Sequence, residues 1–162
     1  MPAKVLQALQ NRGLKLAIAE SLTGGALSAA FVEVPGASNT LLGSVVAYQT
    51  ELKQGILGVS KQLLKARGAV DPEVAAQMAE GARSLMAEKC GLEIRSVVGI
   101  ATTGVAGPDA QDGKPVGEVH IAITMDTRSA TYVFHFSGGR NEIRAQAVLA
   151  AIGALREHFT DS

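Results

Sequence analysis

The 162-residue sequence predicts a single α/β domain over residues 1–162, three α/β/α layers around a mixed, mostly parallel sheet of about five to six strands. Three observations carry that expectation. Short apolar runs suited to buried strands alternate with stretches of helical period, and several of those runs open directly into loops of hydroxyls and glycines. No internal repeat, low-complexity segment or linker divides the chain, and at 47% hydrophobic it can bury one sizeable core.

In chain order, Val5, Leu6 and Leu9 at helical spacing before Gly13 predict a helix over 3–12. Leu16 to Ala19 suits a buried strand, followed by a helix from about 22 to 33 that Pro35-Gly36 ends. Leu41 to Tyr48 reads as the second strand, and Thr50-Glu51-Leu52-Lys53 as a cap and first turn. Ser60 caps a short helix stopping near Gly68. Asp71-Pro72-Glu73 then starts a helix to about 89 whose buried face holds Val74, Met78, Ala82 and Leu85. Ser96 to Ala101 is the third strand and runs into the polar loop Thr102-Thr103-Gly104-Val105-Ala106-Gly107-Pro108. Gly117 to Met125 and Thr131 to Phe136 alternate in polarity and form a hairpin across 126–129. Ser137-Gly138-Gly139-Arg140-Asn141 opens a last helix with Val148, Ile152, Leu155 and Phe159 on one side.

Composition excludes several function classes. Fifteen Lys+Arg against fifteen Asp+Glu leave no net charge, and only 4% of residues are aromatic, so neither a nucleic-acid nor an anionic-lipid partner is expected. No apolar run reaches the ~20 residues of a bilayer span, and the amino terminus lacks a signal-peptide core, so a cytoplasmic location is expected. The one cysteine, Cys90, fits a reducing compartment and reads as a small buried hydrophobe.

The stretch Ala19-Glu20-Ser21-Leu22-Thr23-Gly24-Gly25 organises the rest. Ser21 or Thr23 can cap the helix that follows. Two glycines in a first turn, each worse than Ala by about 1 kcal/mol, imply a close approach to the backbone, and the helix start is a natural seat for an anion. Ser21 is therefore a candidate nucleophile, although this stretch alone favours a cap. If the strands run parallel, Ser21, Tyr48 and Thr103-Gly104 fall together beyond their carboxyl ends, where ligands settle in open α/β sheets.

A serine needs a base. His120, His135 and His158 lack metal-ligand spacing and read more simply, the first two as polar strand residues opposite the apolar face. Lys53 is the alternative if burial makes it neutral, although spacing alone favours a solvated lysine. Position 24 is Gly24, so no Ser-x-x-Lys motif occurs at Ser21 and the pair has to be assembled across the fold. Arg140, after two glycines at a helix start, suits a phosphate, and Arg144 lies one turn on along the same face.

Together these stretches resemble the CinA C-terminal domain family of nicotinamide-nucleotide amidases. The resemblance runs from about Leu16 to Leu155. It includes Ala19 to Gly25, Val34-Pro35-Gly36, Gly43 to Tyr48 with Lys53, Gly68-Ala69-Val70, Met78 to Arg83, Thr103 to Pro108, Lys114 to Gly117, and Gly139-Arg140 with Ile143-Arg144. It implies an amidohydrolase that converts nicotinamide mononucleotide to nicotinate mononucleotide and ammonia without a metal or redox cofactor. Ser21 would be nucleophile and Lys53 its base. Tyr48, Thr23 and Thr103 would shape the site, amides around Gly24, Gly25 and Gly104 would hold the oxyanion, and Arg140 would take the 5′-phosphate. Relatives imply a homo-oligomer, with a dimer favoured. They often carry Gly-Asp-Arg where this chain has Gly138-Gly139-Arg140, a more Gly-rich loop at 109–113, and a larger amino-terminal domain whose activity is not expected here. The alternative reading is a silent nucleotide-binding or competence-associated protein with the same pocket.

Overall fold

The structure, a computed structural model, describes residues 1–126 and 128–160. Eleven helices and strands longer than one turn follow in order: α1 (Pro2–Asn11), β1 (Lys15–Glu20), α2 (Ala26–Val32), β2 (Leu41–Val46), α3 (Thr50–Gly55), α4 (Lys61–Arg67), α5 (Pro72–Lys89), β3 (Val97–Gly104), β4 (Glu118–Thr124), β5 (Ser129–His135) and α6 (Arg140–Thr160). Strand order in the sheet is β2-β1-β3-β4-β5. β1 pairs in parallel with both β2 and β3, whereas β4 is antiparallel to its neighbours β3 and β5. All strands but β4 thus point the same way, as a mostly parallel mixed sheet requires.

Alternation along the strands divides the core in two. Leu16, Ile18, Ile100, Ile121 and Ile123 face α1, α2 and α6, where Phe31, Ile152, Leu155 and Phe159 meet them. The other face is built of Ala17, Ala19, Ala101 and Ala122, over which α5 lays Val74, Met78, Ala79 and Ala82. Small residues there bring α5 onto the sheet at backbone contact. A Cβ on Gly99 would stand 2.2 Å from the Ala79 carbonyl oxygen, and one on Gly81 would stand 1.9 Å from that of Leu57.

The helix starts at Ser60 and Asp71 form as expected, whereas Thr50 is the first residue of α3 and not its cap, Gln49 standing before it without a side-chain cap bond. Ser60 Oγ accepts from Leu63 N at 3.3 Å, and Asp71 Oδ1 accepts from Glu73 N and Val74 N ahead of Pro72. Tyr132, Phe134 and Phe136 stack in a row on one side of β5. Residue 127 of the expected hairpin turn lies outside the described residues, while β4 and β5 pair in register on either side of it.

Several expectations need correction. β2 ends at Val46, so Tyr48 sits in the connection to α3. β3 continues through Thr102, Thr103 and Gly104, because antiparallel pairing with His120 and Val119 carries the polar segment onward as strand. Leu85 is only half-buried, since the inner face of α5 runs instead through Ala75, Ala79 and Arg83. Cys90 is exposed at the carboxyl end of α5. His120 is buried, not displayed on a polar face, because α5 covers that side of β4; its Nε2 pairs with Glu118 Oε1 at 2.8 Å.

Candidate functional site

The carboxyl ends of β1, β2 and β3 open onto one polar cleft of about 210 Å³. Ser21, Tyr48, Thr103, Gly104 and Arg140 all line it. Parallel register causes this convergence. Glu20 is level with Val46 on one side and Thr102 on the other, and Ala47 N and Ser21 N extend the two ladders with bonds to Glu20 O and Thr102 O.

Lys53 lies beneath Ser21, 1% exposed, its ammonium nitrogen brought back from the first turns of α3. Its Nζ donates to Ser21 Oγ at 2.9 Å, to Ala47 O at 2.7 Å and to Tyr48 O at 3.2 Å. Those are three acceptors for the three N–H bonds of an ammonium. Burial lowers the Lys53 pKa from 10.5 to about 8, partly opposed by the nearby charge of Glu51. In the neutral amine two N–H bonds can stay on the carbonyls of Ala47 and Tyr48, leaving the lone pair directed at the serine hydroxyl. Among the charged residues of the described chain, no acid forms an ion pair with Lys53 within 4 Å.

The turn after Ser21 departs from the expected free helix start. α2 begins at Ala26 with Gly25 as its cap, and neither Ser21 nor Thr23 caps it. Glu20 does so from inside: fully buried, it accepts from Gly25 N, Leu27 N and Ser28 N at 3.0 Å each and from Ser44 Oγ at 3.0 Å. Burial pushes its pKa up, but bonds from Thr23, Ser28 and Leu27 outweigh this and hold it below 4.5. The anion seat is therefore filled by the protein's own carboxylate. Gly25 N is committed to Glu20, and Gly24 N donates to Ser21 O at 3.1 Å. Thr23 is fully buried against Thr102, hydroxyl to hydroxyl at 2.8 Å, and does not line the cleft.

Thr103 lines the cleft while its hydroxyl donates to Ala69 O at 2.7 Å; Asp112 Oδ2 accepts from Ala69 N at 3.1 Å. The 109–113 loop thus pins the Gly68-Ala69-Val70 wall. Arg140 reaches across the mouth, donating from Nη1 to Gly107 O and from Nη2 to Tyr48 Oη at 2.7 Å. A carbonyl and a phenol thus orient this guanidinium. Arg144 turns inward, donating from Nε to Leu22 O at 2.8 Å and from Nη2 to Thr23 O at 3.2 Å.

Sequence reasoning missed Glu20 and the inward role of Arg144. The available signal was a carboxylate closing a buried apolar run, since a charge in that position needs several donors. Among the described residues no cluster of three or more His, Cys, Asp or Glu side chains could hold a metal, and no helix is long and apolar enough to cross a membrane.

Fold and cleft define an α/β protein with a buried amine on a serine hydroxyl at the strand ends. The chain belongs to the CinA C-terminal domain family, which matches residues 1–159. It is 43% identical over 152 residues to a CinA-like protein of Frankia casuarinae, a match that covers 94% of this chain and 33% of that protein. The chain thus spans about a third of the length of the curated relatives it matches. A solved competence-damaged protein (CinA) superfamily protein from Klebsiella pneumoniae superposes with a TM-score of 0.87 at 31% identity, covering 99% of this chain and 96% of that one. A solved competence damage-inducible protein A (ComA) from another strain of that species gives 0.86 at 32%, covering 96% and 92%.

Proposed function

We propose that this protein is an amidohydrolase that deamidates nicotinamide mononucleotide through a Ser21 nucleophile and a Lys53 base. The observation that carries the reading is the 2.9 Å contact between Lys53 Nζ and Ser21 Oγ at the floor of the cleft, with the amine's pKa brought down to about 8 by burial. A general base is most effective with a pKa near the working pH, and it must lie within hydrogen-bond reach of the proton it takes.

Neutral Lys53 takes the hydroxyl proton as Ser21 Oγ bonds to the carboxamide carbon. The carbonyl oxygen becomes the oxyanion, and with the amides of Gly24 and Gly25 committed elsewhere, the backbone of Leu22 and Gly104 beside Ser21 is the place for its donors. Collapse breaks the C–N bond, and the departing nitrogen leaves as ammonia carrying the proton from Lys53. Water then attacks the Ser21 ester, giving its proton to Lys53, and the acid is released with the hydroxyl restored. Tyr48 and Arg140 stand at the mouth, where the guanidinium retains further N–H groups for a phosphate. Thr103 supports the wall opposite.

The test is ammonia release from nicotinamide mononucleotide, its riboside and free nicotinamide. Expected turnover is fastest with the mononucleotide and slower with the riboside, and it needs no added metal. Binding of the mononucleotide with no ammonia over hours would instead support the silent nucleotide-binding alternative.

A further inference from the structure

The Ser21–Gly25 turn is held from both sides by opposite charges. Its amide side, continuing into α2, lies on the buried Glu20 carboxylate. Its carbonyl side lies on Arg144, which donates to Leu22 O and Thr23 O, the first two carbonyls after Ser21. Contact there is close: a Cβ on Gly24, whose φ is +58°, would stand 3.4 Å from Arg144 Nη2. A trans peptide places C=O and N–H on opposite sides, so fixing these two carbonyls also fixes where the following amides point. Arg144 Nη1 is braced in turn by Asn141 Oδ1 at 3.2 Å, one helical turn back on α6.

We propose that Arg144 is a positioning residue that sets the orientation of Ser21 by gripping the two carbonyls that follow it. The inference rests on reading Ser21 as the nucleophile, but not on the identity of the substrate. Arg144 touches neither the hydroxyl nor Lys53, and it is absent from the cleft lining, so it acts only through the backbone of the turn. Without it the helix remains capped by Glu20 and Ser21 N stays on Thr102 O, but the Leu22 and Thr23 peptides lose their side-chain restraint and Ser21 Oγ is held from one side only, by Lys53. Misplacement of a reacting group by about 1 Å costs on the order of 10²-fold in rate.

A fluorophosphonate reads this orientation independently of any amide substrate. Ser21 Oγ forms a bond to phosphorus, fluoride leaves, and the hydroxyl proton passes to Lys53. Labelling rates are compared for the wild type, Arg144→Ala and Arg144→Lys, with Ser21→Ala as blank, beside thermal midpoints. Expected is a fall of about 10²-fold in Arg144→Ala, a smaller fall in Arg144→Lys, and recovery of Arg144→Ala by millimolar guanidinium, which refills the half-exposed space of the lost side chain. Parallel kcat values should fall with KM changed much less. Wild-type labelling in Arg144→Ala overturns the proposal. So does a loss that follows a lowered thermal midpoint and is indifferent to guanidinium, because Arg144 would then serve the fold alone. Brisk wild-type labelling without ammonia release rejects the nucleotide substrate and leaves the proposal standing.

Discussion

Ser21 and Lys53 are 32 positions apart, and their contact is a consequence of long-range pairing. The serine could be picked out in the sequence because hydroxyls and glycines interrupt a buried strand. The lysine could not be paired with it from spacing, since the link depends on β2 lying level with β1 and on α3 folding back beneath the cleft. The Lys53 pKa of about 8 gives a signed expectation for activity. Under the proposed mechanism the neutral amine is the base, so kcat/KM for ammonia release should rise tenfold per pH unit below about 8 and level off above it. A flat profile between pH 6 and 9 would exclude Lys53 as the base. Arg140→Ala should raise KM for the mononucleotide by about 10- to 100-fold, the value of one or two charge-assisted bonds, while the KM for the riboside changes little. Equal effects on both would remove the phosphate from Arg140.

At the scale of elements, local chemistry was legible where a side chain takes the first amides of its own helix, though Thr50, expected as a cap, lies inside α3. Ser60 and Asp71 announce their helices, and the alternation in 117–136 announces the hairpin. Boundaries failed where a partner strand or a distant side chain decided them. β3 extends through Thr102–Gly104 because β4 pairs with it, and α2 starts late because Glu20, not Ser21 or Thr23, takes its first amides. The burial of His120 was hidden for a similar reason, since α5 covers a strand face that its polar residues alone made look exposed. Close backbone approach to α5 is a feature of whole elements, and Gly81 tests it where the α3–α4 connection crosses that helix. A methyl group there meets the Leu57 carbonyl oxygen at 1.9 Å, so Gly81→Ala should cost about 1–3 kcal/mol in denaturant unfolding despite its better helix propensity. A neutral or stabilising result would mean that α5 can lift from the 55–59 connection without loss.

For the whole molecule, the site costs stability that pH can reveal. Lys53 has a pKa of about 8 when folded and 10.5 ordinarily, so between those values the unfolded chain binds more protons and stability rises with pH; below about 8 the burial penalty is fully present. Unfolding of the wild type from pH 7.5 to 10 should show this rise over and above that of Lys53→Met, and identical slopes would contradict it. Layered α/β architecture was readable from alternating patterns alone, because two apolar faces on each central strand demand cover on both sides. That the ends of β1, β2 and β3 share a cleft was readable only on the condition that they run parallel, which the pairing of β1 with both neighbours meets. The central claim is that the hydroxyl at position 21 forms and releases the acyl group. Ammonia release from nicotinamide mononucleotide by the wild type and by Ser21→Ala, both checked for native folding, tests it most directly. Loss of at least about 10⁴-fold in kcat is expected from the variant, and turnover within tenfold of the wild type would contradict it.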